Sequence, residues 1–598
     1  MGDYGINHEP EVSDAVWGTP AMKAALTGVE AEASKAEATD AKAAEGEGAT
    51  ERKPAPNGWV DAKPYEYEEF GTDGDHTWDG DAKVYEWDGE TGDVGPEYPE
   101  LEIELFGAPE TRVSHGIDFS KIEKIELYQE GPVRVEPIKK FEEAGLHPVM
   151  LRNVQLCGYR VPTPIQKYCI PAIRLGYDVI GIAQTGSGKT AAYLIPILDK
   201  LMGKAKKLAA PRPNPAQIGA FDMRVRAEPL VVIVVPTREL AVQIFNEARK
   251  FCYRTMLRPC VAYGGGPIAL QIQQLGKGCD ILIASPGRLI DFIERPDVLT
   301  LRRLRYMVID EADEMLDQSW SDEFSKILSG GEQEEGNVSY FLFSATFPKG
   351  ARDLAKEHLS EEHVRFRVGR AGSTHGNIKQ QVFYVQPELK RKALLDLLTS
   401  MKPTRTVIFV NNKRVADELD DYLFNGGIPC CSMHSDRTQK EREAAMRAFR
   451  KGDTPVLIAT GVSARGIDVR SVGHVINYDL PSMDHGGIEE YTHRIGRTGR
   501  IGNTGIASSF YSDRDEPMAS VLTRTLMETQ QEIPDFLEAY KPEGDAAVNL
   551  KFEADSDFEE DDGGSDGGEG GGWGAGSANG DDDAAKSDDD DKKEEGGW

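Results

Sequence analysis

The chain is short of basic charge, has little cysteine and contains no long apolar run. Its 598 residues include 69 Lys and Arg against 101 Asp and Glu, a net charge of −32. Such an excess of acid argues against a surface that is basic all round. The seven cysteines are odd in number and form no Cys-x-x-Cys, which argues against a disulfide framework or a zinc module. Adjacent Cys430 and Cys431 lie in an apolar run and read as strand residues. With no 18 consecutive apolar residues and an acidic start, MGDYGINHEPE, neither a membrane span nor a signal peptide is expected. These absences point to a soluble protein of a reducing compartment, expected to be cytoplasmic and to bind no membrane.

The acidity is confined to the ends. Residues 1–100 carry 25 acids and 7 bases, residues 541–598 carry 20 and 5, and the middle of the chain is balanced at 56 to 57. A balanced average leaves room for a basic face. Residues 1–114 and 541–598 read as disordered extensions, the second rich in Gly. Aromatic residues dotted through the acidic ends suit protein partners, and a merely solubilising arm suits the composition equally.

Between the ends, short apolar runs alternate with helical stretches. Runs at 178–182, 230–235, 280–284, 306–309 and 340–343 lack polar alternation, as strands of a parallel sheet covered on both faces do. A second series at 406–410, 428–433, 456–459, 474–478 and 506–510 follows a polar break. The expectation is α/β: two tandem doubly wound parallel-sheet domains, 115–369 and 379–540, with a linker at 370–378.

The chemistry starts at Ala183-Gln184-Thr185-Gly186-Ser187-Gly188-Lys189-Thr190, between a strand and a helix. This is the phosphate-binding loop: glycines let backbone N–H groups close on phosphate, Lys189 reaches the β- and γ-phosphates, and Thr190 holds Mg²⁺. A second strand runs into Asp310-Glu311-Ala312-Asp313. Asp310, at the sheet's C-terminal edge, is expected to hold Mg²⁺ with Thr190, and Glu311 to take a proton from the attacking water. ATP and Mg²⁺ are the implied ligands.

Asp-Glu-Ala-Asp downstream of AQTGSGKT resembles the signature of the DEAD-box RNA helicases, and further motifs follow in order over about 425 residues. Tyr159-Arg-Val-Pro-Thr-Pro-Ile-Gln166 resembles the adenine-reading segment, with Tyr159 stacking and the Gln166 amide pairing. Pro236-Thr237-Arg238, Gly264-Gly265 and Ser285-Pro-Gly287-Arg288 resemble RNA-binding loops, as do Gln439, Arg442 and Thr460 in the second domain. Ser344 and Thr346 resemble the coupling motif, with His493 opposite them. Asp468 resembles a ribose-binding residue, and Arg497 and Arg500 resemble arginine fingers. Two flanks, Gly116–Phe119 and Gln531–Leu537, resemble the vasa-like branch, although its Arg-Gly-Gly repeats are missing. Gly461 stands where the family usually has Asp. Ser482–Glu490 is about four residues longer than usual, most simply as an outward bulge.

The resemblance implies RecA-like domains and an RNA-dependent ATPase and helicase of RNA metabolism, translation initiation included. RNA contact is expected to be mainly to the backbone, without sequence reading. An ATP-gated RNA clamp would use the same motifs, and an ATPase acting on DNA is a weaker alternative.

Overall fold

The computed structural model describes residue 59 and residues 78–86, 94–109, 127–131, 133–184, 186–202, 210–213, 225–315, 321–333, 338–347, 349–368, 377–461, 472–499 and 504–542. These build two α/β lobes. In the first, the chain runs α1 (Pro99–Phe106), β1 (Leu127–Glu130), α2 (Pro148–Leu156), α3 (Pro164–Leu175), β2 (Val179–Ile182) and α4 (Lys189–Met202). It continues through β3 (Val231–Val234), α5 (Arg238–Phe251), β4 (Pro259–Ala262), α6 (Ile268–Gly276), β5 (Ile281–Ala284) and α7 (Pro286–Ile293). The lobe closes with β6 (Tyr306–Asp310), α8 (Ala312–Met315), α9 (Ser321–Ser329), β7 (Ser339–Ser344), α10 (Lys349–His358) and β8 (Val364–Val368).

The strands form one sheet in the order β1-β8-β2-β7-β6-β3-β5-β4, parallel except where β1 pairs antiparallel with β8 at the edge. Val231-Val-Ile-Val234 and Ile281-Leu-Ile-Ala284 are buried throughout, because apolar clusters cover both faces of the sheet. Helix starts follow local chemistry. Pro148, Pro164 and Pro286 open α2, α3 and α7, where a missing N–H costs nothing, and the Thr237 hydroxyl caps α5.

The second lobe comprises β9 (Ile378–Tyr384), α11 (Lys390–Ser400), β10 (Thr406–Val410), α12 (Lys413–Asn425), β11 (Cys430–Met433), α13 (Gln439–Lys451), β12 (Val456–Thr460), β13 (His474–Asn477), α14 (Gly487–Ile495), β14 (Gly505–Tyr511) and α15 (Glu516–Glu528). Its sheet, β11-β12-β10-β13-β14-β9, is parallel throughout. Cys430 and Cys431 are strand residues, and none of the seven cysteines is in a disulfide. Of the expected linker, Ile378 already belongs to β9, and residues 370–376 lie outside the described residues.

The expected disorder of residues 1–114 does not hold for residue 59 or for residues 78–86 and 94–109. Trp59 is 1% exposed within the apolar cluster of the second lobe, the cluster that also holds Phe383, Leu394 and Leu397. Trp78, Tyr85 and Leu105 are buried against the first lobe. The acids between them meet arginines: Glu104 pairs with Arg249 at 2.6 Å, Glu97 with Arg254 at 2.7 Å and Glu86 with Arg258 at 3.6 Å. An average over an acidic, Ala- and Gly-rich segment hides these few residues, each of which has a specific seat. The rest of 1–114, and the expected tail beyond residue 542, lie outside the described residues.

Two departures noted in the sequence have physical causes. A Cβ on Gly461 would collide with the Glu490 carboxylate, which Arg494 holds at 2.9 Å. The acid absent from position 461 is thus supplied from α14. The longer Ser482–Glu490 stretch forms a 3-10 turn, Met483–His485, with Met483 exposed, ahead of α14.

Candidate functional site

Many of the site residues lie at or just past the C-terminal end of a parallel strand, where open α/β sheets bind ligands, while Gln166, Gln439, Arg442 and His493 stand on helices. The phosphate loop follows β2, Thr237 and Arg238 follow β3, and Gly264 and Gly265 follow β4. Ser285 follows β5, Asp310 ends β6, Ser344 ends β7, and in the second lobe Thr460 ends β12.

The phosphate loop has the conformation its glycines permit. Gly186 and Gly188 have φ of 79° and 87°, a region that side chains with a Cβ disfavour. A Cβ on Gly188 would also press on the Gln166 amide. Lys189 and Thr190 start α4, with Ala183 and Gln184 ahead of the loop. Buried Lys189 donates to the Ala183 carbonyl at 2.9 Å and to Glu311 Oε2 at 3.3 Å. Burial pushes its pKa down, but the charges of Glu311, Asp310 and Asp313 outweigh that and hold it above the ordinary value. The Ser187 hydroxyl is buried without a hydrogen-bond partner among the described residues, an orphaned polar atom within the loop whose chemistry suits phosphate oxygens.

Asp310 is 2% exposed and accepts a hydrogen bond from Tyr193 at 2.9 Å. Burial first, then the adjacent Glu311 charge, push its carboxyl up to about 7 against the pull of Lys189. Glu311, also buried, adopts φ 54°, a left-handed conformation costly for a residue with a Cβ. Two adjacent buried carboxylates served by one lysine form an oxygen-rich, under-neutralised pair. That pair fits a divalent cation of the Mg²⁺ type, which also takes phosphate oxygens and water.

Asp313 is the hub between the motifs. Its Oδ2 accepts from the Thr346 backbone N–H and hydroxyl, both at 2.9 Å, and its own N–H donates to the Ser344 hydroxyl at 3.1 Å. From the second lobe, His493 Nε2 stands 3.7 Å from Asp313 and its Nδ1 3.7 Å from Glu314. Burial would raise the Asp313 pKa, yet His493, then Lys189 and Ser344, hold it well below the carboxylate range. For His493 burial pulls downward, and the Asp313 carboxylate, then Glu314 and Glu311, outweigh it and lift its pKa to about 9. Arg497 is buried beside it, with Nε donating to the His493 carbonyl at 2.9 Å.

The adenine-reading segment is tied to the phosphate loop by its glutamine. Gln166 is buried, its Oε1 accepts from the Thr163 N–H at 3.0 Å, and its Nε2 donates to the Gly188 carbonyl at 3.1 Å. It therefore ties the segment to the phosphate loop, leaving one N–H and one lone pair for a base. The Tyr159 ring stacks on Phe251 at 6.3 Å, so one of its faces is already covered.

The residues expected to touch RNA meet across the lobes. Arg238 donates to Gln439 at 3.0 Å, and Arg442 pairs with Glu239 at 2.6 Å. Tyr263, just before Gly264 and Gly265, donates to Glu443 at 3.1 Å. The Gly264 N–H donates to Ser285 at 3.4 Å. Gly287 has open space where a Cβ would be, Arg288 lies over Phe292 and 3.5 Å from Asp291, and Pro236 precedes the Thr237 cap. Thr185, Asp468 and Arg500 lie outside the described residues.

Sequence reasoning passed over Tyr193, Glu239, Tyr263 and Glu443. Tyr193 carried a signal: it lies one helical turn after Lys189, on the same face of α4. The other three become visible only when the lobes meet.

Residues 163–354 match the DEAD/DEAH box helicase family, and residues 389–502 match the helicase conserved C-terminal domain. The chain is similar to Dbp5 of S. cerevisiae bound to RNA and ADP BeF3, with 28% identity over 68% of this chain and 98% of that one, at a TM-score of 0.55. It is also similar to a point variant of the same Dbp5 bound to a variant Gle1 and IP6, with 28% identity, the same coverage and a TM-score of 0.52. A DEAD box protein from Methanococcus jannaschii is 32% identical over 66% of this chain and 99% of its own, with a TM-score of 0.39.

Proposed function

We propose, from the premise that the chain belongs to the DEAD-box family of ATP-dependent RNA helicases, how its two lobes divide the work. The enzyme hydrolyses ATP and binds RNA, and it couples the two to RNA unwinding or to remodelling of RNA–protein complexes. The phosphate loop and Gln166 hold ATP on the first lobe, with Tyr159 beside the base. Thr190 and Asp310 would hold Mg²⁺, which would neutralise phosphate charge there. Glu311 orients water and takes its proton, while Arg497 serves the γ-phosphate from the second lobe; the family resemblance assigns Arg500 to the same phosphate and Asp468 to the ribose, both outside the described residues. RNA backbone lies along Thr237, Arg238, Gly264, Gly265, Ser285, Gly287 and Arg288 and reaches Gln439, Arg442 and Thr460. The Dbp5 relative binds RNA together with ADP BeF3, in keeping with this arrangement.

One observation carries the coupling. Asp313 joins the acidic strand end to Ser344 and Thr346 within its lobe and to His493 in the other. Movement of the second lobe therefore alters the group three residues from Asp310, so ATP and RNA occupancy must favour each other reciprocally. Asp313→Asn tests this. It should cut RNA-stimulated ATPase and strand displacement by about 10²-fold while leaving ATP affinity without RNA within a few-fold. Equal loss of ATP binding and turnover would refute the coupling role.

Membership of the vasa-like branch, cytoplasmic residence and work in translation initiation belong to this proposal. Leu537, in the flank that carries the branch resemblance, is buried in the second lobe, and seven cysteines outside any disulfide suit a reducing compartment. Protein partners are proposed for the acidic, aromatic-bearing ends; the Dbp5 relative binds Gle1. No described helix is long and apolar enough to cross a membrane.

A further inference from the structure

The segment before the first lobe touches both lobes at the face assigned above to RNA. Trp78 is 5% exposed, with its ring 5.8 Å from that of Tyr263. Its indole nitrogen also lies 3.0 Å from where a Cβ on Gly266 would be, directly after Gly264 and Gly265. Asp79 reaches the second lobe, 3.4 Å from Arg447 on α13, and the Arg450 charge acts on it too. Asp81 accepts from Gln274, and the Lys83 carbonyl accepts from Arg249 at 2.8 Å, so the segment is fixed on its first-lobe side.

From Trp78 a continuous set of contacts runs through the lobe boundary. Trp78 packs on Tyr263, Tyr263 donates to Glu443, Gln439 donates to Glu443 at 3.0 Å, and Arg238 donates to Gln439. Glu443, Arg447, Gln439 and Arg442 all stand on α13. In this arrangement Arg238 and Arg442 are occupied by protein partners, and a carboxylate from the segment stands among the arginines of the same helix. Trp59, in the second-lobe core, adds a second attachment of the same segment.

We propose that residues 78–81 form an acidic, aromatic clasp across the two lobes that competes in cis with RNA. This rests on the RNA reading of Arg238, Gln439 and Arg442. A phosphate strand entering along these residues must part the Arg238–Gln439 and Arg442–Glu239 pairs, and the clasp opposes that parting through Tyr263, Glu443 and Arg447. The Asp79 pair is partly exposed and screened by salt, so its share is modest and fades as ionic strength rises. The buried Trp78 contributes the larger share.

The test uses the full chain and a single-stranded RNA homopolymer, reading half-saturating RNA for ATPase stimulation at low salt. Asp79→Asn should tighten RNA by about 2- to 5-fold, and Trp78→Ala by about 10-fold if the variant keeps the wild-type melting temperature. Turnover at saturating RNA should stay unchanged. The decisive measurement is Asp79→Asn in an Arg447→Gln, Arg450→Gln background: a clasp predicts that its effect disappears there. A negative charge that merely repels RNA predicts the same tightening in both backgrounds, which would overturn the clasp. Arg238→Ala and Arg442→Ala serve as separate arms. If they weaken RNA while Asp79→Asn changes nothing, the clasp fails and the RNA face stands. If they leave RNA unaffected, the RNA-face reading itself falls.

Discussion

Protonation of His493 should set the pH range over which the lobes stay together. In the joined state the Asp313 and Glu314 carboxylates hold its pKa at about 9. With the lobes apart it loses both and returns toward the ordinary value of about 6.5. The pKa is raised in the joined state, so the stabilisation is complete below about 6.5 and is lost as pH rises through about 9. A difference of about 2.5 units corresponds to about 3 kcal/mol of closure at low pH. Linkage then makes the closure constant fall roughly 40-fold between pH 7 and pH 9. Asp313, held well below the carboxylate range, stays ionised throughout and adds no slope of its own. The assay is energy transfer between dyes on the two lobes, with RNA and a non-hydrolysable ATP analogue at fixed ionic strength. His493→Gln retains hydrogen bonding but cannot ionise, so its curve should be nearly flat over the same range and should subtract any contribution from Asp310. If wild type and His493→Gln change in parallel, the pair does not control closure and the reasoning fails.

Three further outcomes follow from the site. Glu311→Gln removes the proton acceptor beside Lys189 and should lower turnover by about 10²-fold or more with ATP binding retained, while Lys189→Ala should lose binding itself; wild-type turnover in Glu311→Gln would exclude the assigned role. Tyr193→Phe deletes a hydrogen bond that favours ionised Asp310, so half-maximal ATPase at pH 7 should need about 3- to 10-fold more Mg²⁺, and less of an excess at pH 8.5, where the carboxyl is ionised anyway; an unchanged Mg²⁺ requirement would disprove it. Gly461→Asp must displace Glu490 from Arg494 and bury a second carboxylate, which should cost about 1–3 kcal/mol and lower the melting temperature by several degrees; an equal or higher melting temperature would show that the site has room.

Much of the sheet was legible because its strands are short runs of Val, Ile and Leu with no polar face. The run at 280–284 became β5 and that at 406–410 became β10, nearly residue for residue. The edge strand β1, Leu-Tyr-Gln-Glu, was not legible, since it is held by antiparallel pairing to β8 and not by its own pattern. The phosphate loop and Asp310 announced themselves through spacing. The arrangement of Asp313, His493 and Glu314 did not, because it arises between elements about 180 residues apart. Gln166 shows a third case: its amide was read for a base alone, and the capping bond it accepts from Thr163 could not be seen in the motif. Trp59 and Trp78 were hidden by the composition around them, although a single indole needs only one apolar seat.

The Arg442–Glu239 pair has a consequence for how RNA affinity depends on salt. If the Arg442 guanidinium turns from Glu239 to a phosphate, the freed carboxylate gathers cations of its own as the phosphate sheds them. RNA uptake is then ion exchange at that position, not simple neutralisation. The slope of log affinity against log salt would count the new phosphate contacts less the carboxylates set free, and a protein with many arginines at its RNA face would read as having fewer. Replacing Glu239 by Gln should steepen that slope by about one unit, which makes an acidic residue that never meets RNA a determinant of how RNA binding responds to the ionic medium.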